Sequence, residues 1–154
     1  MNASNEQAGE LDPALYRRYL AALTLFHQAA ADSAGLSGTD YQASNLLDLD
    51  GPMTSGELAR RLGLSLAAGS RLADRLIEAG IARRSHDTSD RRRVVIEHTG
   101  ALPESIDHAL RRVREPIARA LAALSDEQLS GVGAYLTAAA DTYAESARSL
   151  RDSE

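Results

Sequence analysis

Apolar residues recur along this chain at two different periods, and the change of period divides it. Leu15, Tyr19, Ala22 (or Leu23), Phe26 and Ala30 return every three or four residues. That spacing predicts a helix opened by Asp12-Pro13 and running to about Asp32, with the polar residues 1–10 as an arm before it. The stretch SAGLSG interrupts the pattern. Ser37 and Asp40 then sit at capping-box spacing, with Asp in place of the usual Glu, and open a second helix to about Leu49. After the turn DLDGP, Thr54-x-x-Glu57 caps a short helix that Gly63 ends. Ser65 caps the next, LAAGSRLADRLIEAG, which ends at Gly80. Two helices joined by a turn of about three residues containing a glycine form a helix-turn-helix pattern.

The helical period then gives way to two short strand-like runs, Ile81–Ser85 and Arg93–His98. The polar HDTSDRR between them is longer than a tight two-residue turn and should protrude. From Pro103 the helical period returns in Ile106, Leu110, Val113, Ile117, Leu121 and Leu124, with Pro116 inside the helix and a kink expected near Arg112. Ser125-x-x-Gln128 restarts a last helix, whose stripe is Leu129, Val132, Leu136, Ala139, Tyr143, Ala147 and Leu150. The expected fold class is mainly α with a small β-hairpin: a winged helix-turn-helix core flanked by N- and C-terminal dimerisation helices. The expected divisions are residues 1–35, 36–100 and 101–154. The outer stripes have no matching partner in so small a core, so a two-fold dimer follows, placing two recognition helices about 34–36 Å apart. The alternative is a monomeric helical cap.

Composition narrows the function. There is no cysteine, which excludes a disulfide framework, a zinc finger and a thiol switch. No apolar run approaches a membrane span of about 20 residues, and MNASNEQAGE is too polar for a secretory signal, so the expected location is cytoplasmic. The net charge is -5, but it is unevenly spread: residues 57–98 carry +3 and the remainder -8. The four histidines, at positions 27, 86, 98 and 108, show no metal-ligand spacing, and GLSLAAGS lacks the Gly-Lys of a phosphate loop. Neither an enzyme nor a metal or other cofactor is expected.

The basic segment contains the candidate chemistry. On the second helix of the pair, Ser70 and Arg71 lie away from the apolar side, with Arg75 at the edge. Arg71 has the reach for guanine O6 and N7 or for a phosphate, and Ser65 and Ser70 for phosphate or base edges. The alternative for both arginines is a solvated face with internal Arg-Asp pairing. The protruding loop carries DRRR. A guanidinium there suits the negative minor groove, and Asp90 is placed to orient an arginine through a charge-assisted bond; the alternative is a solvated charged loop.

From about Leu36 to Thr99 the sequence resembles the MarR family of bacterial transcriptional regulators. The resemblance rests on "GPMTSGELARRLGLS", "SRLADRLIEAGIARR" and the wing signature "DTSDRRRVVIEHT". It implies a dimer with interlocked terminal helices that binds a palindromic operator in double-stranded DNA. It further implies a repressor released by a small anionic or phenolic ligand, bound between the dimer helices and the DNA-binding lobe. By position, Arg92 would be the minor-groove arginine and Asp90 its orienting acid, with Arg91 and Arg84 as phosphate contacts. Tyr19, His27 and Tyr41 lie on the elements that line the implied ligand cleft; packing as core is their alternative. Ala68 and Gly69 stand where the family often has Thr and Val, and Ser44 and Asn45 are polar in mid-helix, facing either the cleft or water. The competing function is a winged-helix protein-interaction adaptor without DNA binding.

Overall fold

A computed structural model describes residues 12–152. The arm expected over residues 1–10 lies outside the described residues. Six helices and one hairpin follow in order: α1 (Pro13–Asp32), α2 (Gly38–Asp50), α3 (Ser55–Leu62), α4 (Leu66–Glu78), β1 (Ala82–His86), β2 (Val94–His98), α5 (Glu104–Ala122) and α6 (Asp126–Asp152).

The caps read from the sequence are made. Asp12 Oδ1 accepts from the Ala14 N–H at 2.8 Å, with Pro13 at the first helical position. Both halves of the capping box close at Ser37/Asp40 and at Thr54/Glu57. Ser65 Oγ accepts from the Ala68 N–H at 3.2 Å. The Ser125 N–H donates to Gln128 Oε1 at 2.9 Å, and the Gln128 N–H to Ser125 Oγ at 3.3 Å. Gly63 ends α3 in the left-handed region, φ 69°, where a side chain would be strained. Pro116 removes one backbone bond from α5 and does not end it.

The hairpin is antiparallel, with Ala82 opposite His98 and His86 opposite Val94. β2 starts at Val94, one residue later than expected, because the Arg93 N–H is spent closing the wing turn onto the Asp90 carbonyl at 2.9 Å. Met53 adds a bridge to the open side of β2: its N–H donates to the Ile96 carbonyl at 3.1 Å, and the Ile96 N–H returns at 2.8 Å.

One core holds these elements. Leu47 of α2, Leu58 of α3, Leu72 and Leu76 of α4, Ile81, Ile96 of β2 and Ile106 of α5 are buried together. The inner ends of the outer helices join it through Ala31 and Leu110. Gly69 explains how α3 and α4 pack. A Cβ there would overlap the Ala59 methyl and lie 2.9 Å from the Ser55 carbonyl oxygen. The glycine that departs from the family pattern is the point of closest approach of the two helices. Ser44 is likewise explained: it is buried against β2, its Oγ 3.3 Å from His98 Nε2. The Gly100 N–H lies 3.0 Å from His98 Nδ1 on the other side of the ring.

The far helices differ. No residue from Asp126 to Arg151 of α6 is buried. The α6 stripe meets α1 where the Tyr16 and Tyr143 hydroxyls touch, beside an open groove of about 600 Å³ lined by Pro13, Tyr135 and Ala139.

Candidate nucleic-acid interface

Helix α4 presents two faces because its sequence alternates them. Gly69, Leu72, Ala73 and Leu76 are buried, while Ala67, Ser70, Arg71 and Asp74 are exposed. Ser70 and Arg71 project from the first half of the helix, the half that meets base edges in helix-turn-helix proteins. Ser65 is engaged as the cap through its oxygen lone pair; its hydroxyl proton stays available to a phosphate. Sequence reading missed Leu66, which opens α4 and is 72% exposed. An exposed leucine at that end fits a thymine methyl. Its place in the first turn was the available signal, but an apolar residue there also reads as core.

The remaining basic residues of the lobe divide into paired and unpaired. Arg84 is bound to Asp74 at 2.5 Å, tying β1 to the exposed face of α4. Arg83 pairs across the hairpin with Glu97 at 3.1 Å, its register partner. Arg75 is turned inward onto Asp40, Nη2 to Oδ1 at 2.6 Å. The sequence placed it at the edge of the DNA face; its partner there is a carboxylate 35 residues away.

The wing is shaped by its carboxylates. Asp87 Oδ1 accepts from Ser89 Oγ at 2.6 Å, from the Ser89 N–H at 2.8 Å and from the Asp90 N–H at 3.3 Å. The Ser89 hydroxyl, then the two amides, with Arg93 nearby, hold the Asp87 carboxyl below its ordinary value. Asp90 Oδ1 accepts from the backbone N–H of Arg92 at 3.0 Å. It therefore orients the Arg92 backbone, not its guanidinium as expected, because an amide two residues on is within reach of a short carboxylate. Arg93 takes the ion pairs instead: Glu57 at 3.1 Å and Asp87 at 3.5 Å. It clasps the wing base to the N-terminus of α3. Arg71, Arg91 and Arg92 are exposed and make no ion pair among the described residues.

The three residues placed near a ligand cleft do not all meet. The rings of His27 and Tyr41 lie 5.1 Å apart, with Phe26 5.7 Å from His27. Tyr41 is buried, and Tyr19, two turns earlier on α1, is half exposed and apart from this cluster. Burial pushes the Tyr41 hydroxyl above its ordinary value, opposed by the Arg114 charge and a hydrogen bond with Asn45. Burial lowers His27. Asn45 of α2, one of the two polar mid-helix residues, is beside Tyr41; Arg114 of α5 was not anticipated at this place, and its distance from His27 in sequence hid it.

Comparison with known proteins agrees with this architecture. The MarR family profile matches residues 45–94, which span α2 to the start of β2. The HTH-type transcriptional regulator YcgE of Bacillus subtilis is 36% identical over 137 residues, covering 89% of each chain. A MarR family protein from Bacillus stearothermophilus superposes with a TM-score of 0.61 at 21% identity, over 84% of this chain and 91% of that one. A variant of S. aureus MepR, bound to an oligodeoxyribonucleotide, superposes with a TM-score of 0.54 at 19% identity, over 87% of this chain and 99% of that one. With a winged helix-turn-helix between terminal helices, and a relative this similar along nearly its whole length, the chain belongs to the MarR family of transcriptional regulators.

Proposed function

We propose that the protein is a cytoplasmic transcriptional repressor that binds a palindromic operator as a homodimer. The observation that carries this reading is the distribution of charge in the lobe. Arg75, Arg84 and Arg93, which tie the lobe together, are neutralised by acids, while Arg71 on α4 and Arg91 and Arg92 on the wing, like Arg60 on α3, are exposed and make no ion pair among the described residues. Unpaired cations on a recognition helix and a wing suit phosphates and groove edges. Ser65, Ser70 and Leu66 complete the α4 contacts, and Asp90 shapes the wing. The same fold in MepR is seen with an oligodeoxyribonucleotide.

The dimer reading rests on α6. Its stripe of Leu129, Leu136, Tyr143 and Leu150 is exposed, as are Leu15, Tyr19 and Leu23 of α1. A second copy covers both faces by two-fold symmetry. For the releasing ligand, the His27–Tyr41 pair near Arg114 offers a ring face, a hydroxyl and a positive charge, which suit a small anionic or phenolic molecule. Tyr19 belongs to the exposed seam in this reading and not to the ligand site.

Fluorescence anisotropy with a duplex from the protein's own promoter region, read at several salt concentrations, tests the function. The expected result is nanomolar binding that weakens steeply with salt. A salt profile that is flat across several promoter duplexes would support the protein-interaction adaptor instead.

A further inference from the structure

Asp40 is a buried carboxylate, 1% exposed, in a lobe whose other ion pairs lie at the surface. Its carboxylate bonds to two different elements. Oδ2 accepts from the Ser37 N–H at 3.0 Å and the Ser37 hydroxyl at 2.8 Å, closing the N-terminus of α2. Oδ1 accepts from Arg75 Nη2 at 2.6 Å, and Arg75 Nε lies 3.2 Å from both oxygens. Ser37 in turn follows directly on the turn that ends α1, where the Leu36 N–H donates to the Ala31 carbonyl at 3.0 Å. One carboxylate thus links the first turn of α2, directly after the turn that ends α1, to the last turn of α4.

Two features make this link more than a cap. A two-pronged guanidinium fixes direction as well as distance, which an ammonium does not. Arg75 also stands one helical turn beyond Arg71, on the helix that presents Ser70 and Arg71 outward. Holding Arg75 fixes how far α4 is rotated about its axis, and so where Arg71 points.

We infer that Arg75 is a positioning residue for DNA recognition: its fork on Asp40 sets the pose of α4 against the α1–α2 junction and makes that junction the route by which the terminal helices influence the recognition helix. The inference rests on the DNA-binding reading above. It takes Arg75 out of the contact set, because a guanidinium neutralised by a buried carboxylate has no free charge with which to displace counterions.

The test uses an operator that the wild-type full chain enriches from a random duplex library, and an unrelated duplex of equal length. Arg75→Gln is expected to weaken operator binding about tenfold, to leave binding to the unrelated duplex unchanged, and to keep the slope of log affinity against log salt. Arg75→Lys keeps the charge but not the fork and should lose nearly as much. In the double variant with Asp40→Asn, the loss should not exceed that of the single variants. Melting curves show that each variant is folded at the assay temperature; should Arg75→Gln not be, Arg75→Lys carries the comparison alone. A slope reduced by about one, with equal losses on both duplexes and rescue by Lys, makes Arg75 a phosphate contact and overturns the inference. So does a lower melting temperature with operator affinity intact. A wild-type protein that enriches no sequence overturns the DNA-binding reading itself, and this inference with it.

Discussion

The lobe from α2 to β2 and the last helix, α6, carry apolar stripes of similar regularity, yet one is covered and the other is not. In the lobe, Leu47, Leu58, Leu72, Leu76 and Ile81 are at most 2% exposed. Along α6 the corresponding residues are open, from Leu129 at 38% to Leu150 at 73%. The difference lies in what stands opposite. Helices α2, α3 and α4 are short, and each faces the others and the hairpin across turns of a few residues, so their stripes converge on one another. Helix α6 is 27 residues long and meets α1 through Tyr143 and the end of α3 through Arg151, yet none of its residues from 126 to 151 is buried. A periodic stripe therefore identifies a face that needs covering without naming what covers it.

The largest effect expected from this contrast comes from charging the open stripe. Leu136→Glu should turn a dimer into a monomer at micromolar concentration by light scattering, and should weaken operator binding by roughly a hundredfold or more as the second half-site is lost. In the closed stripe, Leu76→Ala should instead lower unfolding stability by about 2–5 kcal/mol in denaturant titration while the native protein keeps its oligomeric size. If Leu136→Glu leaves the size unchanged and only lowers stability, the α6 face is an internal core and the contrast disappears.

A smaller effect sharpens the packing side of the comparison. On an open helix, Gly→Ala stabilises by about 1 kcal/mol. At Gly69 the sign should reverse, with a loss of about 1–3 kcal/mol in thermal unfolding, because the new methyl overlaps Ala59 and crowds the Ser55 carbonyl. Gly131 on α6, where a Cβ would meet nothing, is the control: Gly131→Ala should be neutral or stabilising.

The smallest change concerns the wing and should leave stability alone. Arg92→Ala is expected to weaken operator binding about tenfold and to lower the salt slope by about one. Arg93→Ala should behave differently, since Arg93 is occupied by Glu57 and Asp87: wing geometry should loosen, seen as faster amide exchange at Asp87. Equal effects of the two substitutions on the salt slope would show that the wing arginines are interchangeable.

Much of this architecture was legible in the chain. Every helix start except that of α5, which follows Pro103 without a side-chain cap, was announced by a cap whose partner lies two or three residues on, and the hairpin fell within one residue of its expected ends. The order helix, helix, helix-turn-helix, hairpin, helix, helix is readable from the residue pattern alone. The candidate site was legible as a list but not as roles. Arg71, Arg75, Arg84, Arg91, Arg92 and Arg93 look alike in sequence; in space three are paired with acids and three have no acid partner among the described residues.

The sequence by itself determined what depends on near neighbours: helix periods, capping boxes, the wing loop and the uneven charge, because a hydrogen bond across two or three residues is set by the backbone that joins them. Tertiary structure alone decided which of 22 acids Arg75, Arg84 and Arg93 meet. Asp40 with Arg75, Glu57 with Arg93 and Ser44 with His98 are separated by 35, 36 and 54 residues. Such partners are chosen by how the core closes, since only packing brings their ends of the chain within hydrogen-bond distance. The same packing turned Gly69 from a weak helix former into the contact that lets α4 lie against α3.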